Sequence, residues 1–210
     1  MPKITKIVSQ SSNSGRVSVF VDEKFLVGID KLSWIRYGLK IGDPINAALC
    51  QRLVKEGEEH KTYDKALKLL SYRPQSISEI KKKLSRRFAP ADIDVTIQRL
   101  SRNGLLNDRE FAVSWVRERM QTRHRSVNHL TAELRRKGID RGTIQIALET
   151  SQADDQEVDV AVALLQKRLA ASGSTTINEK LKAYLSRRGF TYKTIAAAAK
   201  KVKCPDQVNP

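Results

Sequence analysis

The feature of this sequence that most constrains its fold is an internal repeat of about 50 residues. Ser76, Ser126 and Thr176 each precede an amphipathic segment and carry a side chain suited to capping a helix. Around Ser76 the residues form a capping box, with Glu79 placed to bond back to the cap, whereas His129 takes that place in the second copy. A helix start that recurs at this spacing indicates tandem units of one design.

The ends of the capped helices repeat as well. Gly138 follows the run Leu-Arg-Arg-Lys, and Gly189 follows the related run Leu-Ser-Arg-Arg. In the first copy Phe88 stands where the glycine would be. Glycine at this place readily adopts the left-handed backbone that terminates a helix. The capped segments are therefore predicted to be short helices with defined ends.

Each unit is predicted to contain a helix before and a helix after the capped one. The preceding helices show apolar residues at i, i+3 and i+4, which is the pattern of an amphipathic helix. These stripes start at Ala66, Ala112 and Ala161. The helices that follow are predicted to begin near Pro90, Arg141 and Tyr192, and to bury Ile93, Ile144 and Ile195.

The first 60 residues follow a different pattern. Residues 4–8, 16–21 and 25–29 are rich in Val, Ile and Phe, which predicts a small antiparallel sheet that packs on helices. Asp30 and Gly38 are expected to begin and end a short helix. Another helix is predicted to begin at Asp43-Pro44 and to break near Gly57, before a basic linker.

The predicted fold is mainly α: three tandem three-helix repeats in an elongated curved array, preceded by a small antiparallel β segment and helices. Such repeats are too small to bury a core alone, so they stabilise one another. The acidic residues 154–157 are interpreted as the joint before the last repeat. The predicted boundaries are 1–60 for the N-terminal segment, 61–105, 106–151 and 152–203 for the three repeats, and 204–210 for a disordered tail.

The charge of the chain favours a polyanionic partner. Lys and Arg number 39 against 23 Asp and Glu, which gives a net charge of +16. The excess is concentrated in the middle of the chain, where the repeats lie, and such a field attracts nucleic acid or another acidic surface. Two distant cysteines and a polar N-terminus are typical of a cytoplasmic protein, and no apolar run is long enough for a membrane span.

The motifs of common enzymes do not occur in this sequence. It has no Gly-rich phosphate loop, and His124 and His129 lack the spacing of a helical metal pair. Asp92 and Asp94 flank a predicted helix start, where acids favour the helix dipole, so a catalytic pair is not indicated. The protein is therefore predicted to bind a partner without catalysis, cofactor or metal.

Clusters of cations at corresponding helix ends are the candidate binding residues. Each repeat places two or three of them where its second helix ends, and a repeated stripe of charge suits a periodic, negatively charged partner. The alternative is that they stabilise helix dipoles and solvate the surface. The predicted binding residues are Arg73, Lys82, Arg86, Arg87, Arg119, Arg123, Arg125, Arg135, Arg136, Lys137, Arg187 and Arg188.

The aromatic residues give no sign of base stacking. Tyr72, Phe88, Phe111, Trp115 and Phe190 all stand at positions that are predicted to face the core. Proteins that bind single strands by stacking expose such rings along a basic groove. The sequence therefore favours contacts through charge.

Four segments of the sequence resemble the RecX family, bacterial regulators of the RecA recombinase. They are residues 66–80, ALKLLSYRPQSISEI; 103–112, NGLLNDREFA; 133–139, ELRRKGI; and 184–190, YLSRRGF. The β-rich start also resembles the N-terminal extension of longer members. Two departures are Ser126, where the family usually has glycine, and Phe88, where the helix-ending glycine is missing.

This resemblance implies a regulator that performs no covalent chemistry. Family members are helical repeat proteins that lodge in the groove of the RecA filament on single-stranded DNA. They suppress its ATP hydrolysis, strand exchange and growth, and so act in recombination, DNA repair and the SOS response. The expectation for this chain is a cytoplasmic monomer with that partner. Sequence-independent binding to DNA itself remains the alternative.

Overall fold

The computed structural model describes residues 1–11, 13–173 and 176–203. They group into two compact units: Met1–Pro74 with Ile80–Leu105, and Gln75–Glu79 with the chain from Leu106. The predicted tail at residues 204–210 lies outside the described part. Among the described helices, none combines the length and the apolar character that crossing a membrane requires.

The described elements are a three-stranded antiparallel sheet followed by helices, which confirms the predicted fold class. The strands are β1 Ile4–Gln10, β2 Asn13–Val21 and β3 Lys24–Asp30. The helices are α1 Lys31–Tyr37, α2 Ala47–Tyr72, α3 Ile77–Leu84, α4 Pro90–Arg102, α5 Asp108–Arg123, α6 Val127–Arg136, α7 Arg141–Thr150, α8 Ala153–Ser172, α9 Glu179–Arg187 and α10 Tyr192–Lys203.

In the first unit one face of the sheet is buried. Val17 and Val19 of β2 pair with Ile29 and Val27 of β3, and all four side chains are buried. Because alternate residues of a strand point to the same face, these side chains form one apolar surface. It belongs to a core that also includes Leu53 of α2. The predicted packing of the sheet on helices is confirmed.

Helix α2 differs from its prediction at both ends. It begins after Asn46, whose side chain caps Leu49, while Pro44 pairs with Lys3 in an isolated bridge. Gly57 does not end the helix but lies buried in its middle. A Cβ atom at Gly57 would lie 2.3 Å from Val27 Cγ2, so this glycine permits close approach of β3. The predicted repeat boundary after residue 60 therefore falls inside one continuous helix.

Most of the predicted helix starts in the repeats are confirmed. Helices α4, α7 and α10 begin at the predicted residues, and the isoleucine three positions on is buried in each. Ser76 and Ser126 cap α3 and α6 as expected. The third cap is Asn178, which accepts from the Leu181 amide, and so the prediction of Thr176 is wrong. Residues 154–157 are also not a joint, because they form the first turns of α8.

Within the second unit, the cap of α6 bonds to the end of α9. The Ser126 hydroxyl donates to the Arg188 carbonyl at 2.7 Å, and the Val127 amide donates to Glu157 Oε1 at 2.8 Å. Ser126 and Glu157 are both buried. The same two bonds occur between Ser76 and Lys137, and between Ile77 and Asp108. The repeated caps thus fix helix ends that are distant in the sequence.

Candidate partner-binding surface

Most of the predicted binding cations are exposed. They stand at the ends of α6 and α9, in the last turn of α3 and just after it, and at the ends of the longer helices, where charged side chains reach solvent easily. The exposed ones are Arg73, Lys82, Arg86, Arg87, Arg123, Arg135, Arg136 and Arg187, and the half-buried ones are Arg119, Arg125, Lys137 and Arg188.

Two of the half-buried cations pack on the indole ring of Trp115. Lys137 Nζ and Arg119 Cζ each lie 4.1 Å from a ring centroid of Trp115. The same ring stacks on Phe111 at 5.7 Å, and its Nε1 donates to Glu133 Oε2 at 3.0 Å. Cation–π contacts of this kind contribute about 0.5–2 kcal/mol, more when they are desolvated. Trp115 is therefore a structural anchor in the second repeat.

Three carboxylates pair with the cations around Trp115. Lys137 Nζ lies 3.0 Å from Glu79 Oε1, and Arg125 Nε lies 3.2 Å from Glu133 Oε1. Arg119 Nε lies 3.2 Å from Glu118 Oε2 and 3.9 Å from Glu133 Oε2. These ion pairs hold three predicted binding residues inside the second unit, where they stabilise its packing.

The third repeat surrounds a tyrosine with cations in a similar way, but without the acids. Arg168 Cζ lies 4.5 Å and Arg188 Cζ 5.0 Å from the ring centroid of Tyr184. Beside this ring a cleft of about 380 Å³ opens between α8 and α9. No carboxylate lines it among the described residues. Its lining residues are Arg168, Ala171, Ser172, Asn178, Lys180, Leu181, Tyr184 and Arg187.

The first unit holds the one group of side chains, among the described residues, whose atoms could together ligate a metal ion. Ligand atoms of Asp30, Glu56 and His60 all lie within 4.8 Å of one another. His60 Nε2 is 2.9 Å from Asp30 Oδ2, and Tyr37 donates to Glu56 Oε2 at 2.9 Å. Arg36 also pairs with Glu56. Since the carboxylates are already engaged by these donors, the group fits a hydrogen-bonded ion cluster better than a metal site.

This cluster shifts the pKa of both carboxyl groups. Burial alone would raise the pKa of Asp30, but the side-chain and backbone hydrogen bonds from Ser33 and the charge of His60 outweigh it. For Glu56 burial is likewise outweighed, by bonds from Ser33 and Tyr37 and by the charges of Arg36 and His60. The pKa of each therefore lies below its ordinary value.

The aromatic residues only partly follow their predicted burial. Phe111 and Phe190 are buried, but Tyr72 is 74% exposed, and so its prediction as a core residue is wrong. Tyr72 is the last residue of α2, and side chains at a helix end reach solvent easily. Tyr184 as the centre of the cations in the third repeat was not predicted. Arg188 follows it by four residues, but its other partner, Arg168, belongs to a different helix.

Comparison with known proteins identifies the family. Three family models match the chain: the N-terminal domain of regulatory protein RecX over residues 2–46, the first RecX three-helix domain over 63–100, and the second over 107–148. The chain belongs to the RecX family. This confirms the resemblance seen in the sequence. The two matched three-helix domains lie within the ranges 61–105 and 106–151.

Similar RecX proteins cover nearly the whole chain. Regulatory protein RecX of Bacillus subtilis is 31% identical over 206 residues, which is 97% of this chain and 78% of that protein. The RecX protein of Clostridioides difficile is 32% identical over 203 residues, which is 95% of both chains. These relatives are named as regulatory proteins.

Solved structures of the family share the fold. A crystal structure of a regulatory protein RecX matches with a TM-score of 0.75 at 23% identity, over 95% of this chain and all of that one. RecX from Lactobacillus salivarius matches with a TM-score of 0.63 at 30% identity, over 70% of this chain and 97% of the other. The architecture of sheet and helical repeats is thus that of the RecX fold.

Proposed function

We propose that this protein binds the RecA filament on single-stranded DNA and restrains its ATPase, strand exchange and growth. The observation that carries the proposal is membership of the RecX family, with similarity along nearly the whole chain. Such a protein tunes recombination, DNA repair and the SOS response by binding alone, as a monomer in the cytoplasm. It needs only to bind one arrangement of the filament better than the others.

The exposed cations support a charged interface. Arg86 and Arg87 follow α3, and Arg135 and Arg136 end α6, all with exposed side chains. Among the described residues, no carboxylate lies within ion-pair distance of these four guanidinium groups. Surface cations that are not neutralised internally are available to an acidic partner and steer its approach.

The test is a titration of the protein into RecA filaments on single-stranded DNA at moderate salt. We expect ATP hydrolysis to fall at fewer than one molecule of protein per RecA protomer, because a bound regulator also limits filament growth. Light scattering or electron microscopy would report shorter filaments in parallel. Full ATPase activity over a wide titration would refute the proposal.

Direct binding to DNA is the second candidate, and the net charge of +16 favours it. Its signature is a steep fall of affinity for naked DNA as salt increases, because each neutralised phosphate releases a counterion. Measuring binding to naked single strands and to filaments under the same salt conditions separates the two functions. Tight binding to filaments beside weak binding to naked DNA would exclude direct DNA binding as the main activity.

A further inference from the structure

The cleft between α8 and α9 carries an excess of positive charge. Arg168, Lys180 and Arg187 line it, and among the described residues none of them has a carboxylate within ion-pair distance. The nearest acid in sequence, Glu179, pairs instead with Lys182 at 2.7 Å and does not line the cleft. Three cations that share a cleft repel one another unless an anion enters.

Comparison with the second repeat shows that this excess arises by substitution. Aligning the repeats by their helices places Arg168 on Arg119, because both follow the aligned alanine of the first helix by seven residues. Tyr184 falls on Glu133, since each stands directly before the aligned leucine. In the second repeat Glu133 pairs with Arg125 and approaches Arg119, whereas a tyrosine in its place carries no negative charge. Glu118, the other acid beside Arg119, falls on Lys167 in the third repeat.

The second carboxylate is lost at the corresponding place. Lys137 pairs with Glu79 in the second repeat, at 3.0 Å. Arg188 is the counterpart of Lys137, and the residue that takes the place of Glu79 is His129, which contacts the Arg188 carbonyl. The third repeat thus keeps a cation in place of Arg119 and of Lys137, while the acids that pair with those two residues are all replaced. Plain solvation of a surface does not require this pattern.

We propose that this cleft binds a phosphate group, either of a nucleic acid strand or of a free nucleotide. Guanidinium and ammonium groups are the usual phosphate ligands, and a volume of about 380 Å³ accommodates a nucleotide-sized segment. Asn178 and Lys180, at the N-terminal end of α9, add the favourable end of the helix dipole. The ring of Tyr184 holds Arg168 and Arg188 in place without neutralising them.

This phosphate site would be one part of the interface in the proposed function, and its biological role rests on that function. Binding is nevertheless testable on the isolated protein, by calorimetry with pyrophosphate, ATP and a short oligothymidylate. The sharpest variant is Tyr184→Glu, which restores the acid of the second repeat. A second variant is Lys180→Glu, at an exposed side chain, in case Tyr184→Glu disturbs the fold. The matched control for Lys180→Glu is Lys193→Glu on α10, which makes the same charge change outside the cleft.

We expect both cleft variants to weaken phosphate binding by about tenfold or more, and the control to change it little. Preference for the oligothymidylate would assign the site to a strand, and preference for ATP or pyrophosphate to a free nucleotide. Failure of all three probes to bind would overturn the proposal, and so would equal losses in cleft variants and control. Inhibition of the RecA ATPase by the wild-type protein is measured separately, so either proposal can fail while the other stands.

Discussion

Gly138 and Gly189 end helices α6 and α9 with φ angles of +78° and +83°. Each also lies against another chain segment. A Cβ atom at Gly138 would stand 2.3 Å from Ser78, and one at Gly189 would stand 2.8 Å from Ser126 Oγ. The sequence predicts the left-handed backbone from the position of the glycine, but the close approach becomes visible only in the folded unit.

Replacing these glycines should therefore lower the free energy of unfolding more than replacing a glycine that has a left-handed backbone but no close neighbour. Gly173 has a φ of +63°, and no atom of the described residues lies within 4 Å of the place that an added methyl group would take, which makes Gly173→Ala the matched control. We expect the control to lower the free energy of unfolding by about 1–2 kcal/mol. Gly138→Ala and Gly189→Ala should lower it by roughly twice as much, because the new methyl group also clashes. Urea unfolding followed by circular dichroism measures the difference, and equal losses would contradict the packing argument.

The contacts of the cations could be predicted from the sequence only where both partners lie close together in the chain. Arg119 follows Trp115 by four positions, a spacing that places the two side chains on one helix face, so their contact could have been predicted. Lys137 meets Glu79 from 58 residues away, and no local pattern signals that pair. Arg135 and Lys137 look alike in the sequence, yet one is exposed and the other packs inside the unit.

At the scale of elements, the serine caps connect helices as well as starting them. Ser126 accepts from the His129 amide and donates to the Arg188 carbonyl at 2.7 Å, and its side chain is fully buried. Asp140 caps α7 by accepting from Thr143, but it is exposed. Loss of Ser126 therefore also breaks a hydrogen bond to the end of another helix, whereas loss of Asp140 removes only a cap.

Ser126→Ala should destabilise the second unit more than Asp140→Ala. Loss of an ordinary cap costs about 1 kcal/mol. In Ser126→Ala the bond to the partly buried Arg188 carbonyl is lost as well, which leaves that carbonyl with its His129 contact alone and adds about 1 kcal/mol. Thermal unfolding of the two variants compares these losses directly. Equal destabilisation would show that the bond to Arg188 contributes nothing.

Helix boundaries were predictable where local chemistry alone decides them. The caps at Asp30, Asn107 and Ser126 and the proline that opens α4 are all local signals. Gly57 misleads because a glycine within a helix can mark a break or a close contact, and only β3 distinguishes the two. The acidic start of α8 misleads similarly, since acids favour both a loop and the first turn of a helix.

The ion cluster between β3, α1 and α2 should make the first unit sensitive to acid. The pKa values of Asp30 and Glu56 are lowered in the folded protein, so their ionised forms stabilise it. That stability is fully present above their ordinary values near 4, and is lost as the pH falls through the lowered folded values. The urea concentration at the midpoint of unfolding should decrease as the pH is lowered through this range. It is followed by Trp34 fluorescence in a Trp115→Phe background.

A matched pair of variants isolates the cluster. Glu56→Gln should flatten the pH dependence, because one of the two titrating groups is gone. Glu59→Gln, in the same helix but outside the cluster, should leave the dependence as steep as in the parent. An unchanged slope in Glu56→Gln would show that other carboxyl groups cause the acid sensitivity.

At the scale of the whole molecule, the question is whether net charge or its placement attracts the partner. The chain carries +16, so any cation contributes to a long-range field. Specific contacts, by contrast, depend on the cations at the repeated helix ends. Salt weakens the field over about 10 Å at 0.1 M, and it affects close contacts less.

Paired charge reversals therefore decide between field and contact. Arg86→Glu with Arg87→Glu, or Arg135→Glu with Arg136→Glu, should weaken binding to RecA filaments by about tenfold or more at moderate salt, with unchanged circular dichroism. Lys193→Glu with Lys200→Glu changes the net charge equally at exposed positions of α10 and should have a smaller effect. Fluorescence anisotropy of labelled protein measures all three. If the arginine variants and the lysine control lose the same affinity, net charge causes the attraction. If the two arginine variants bind as tightly as the parent, those arginines only solvate the surface.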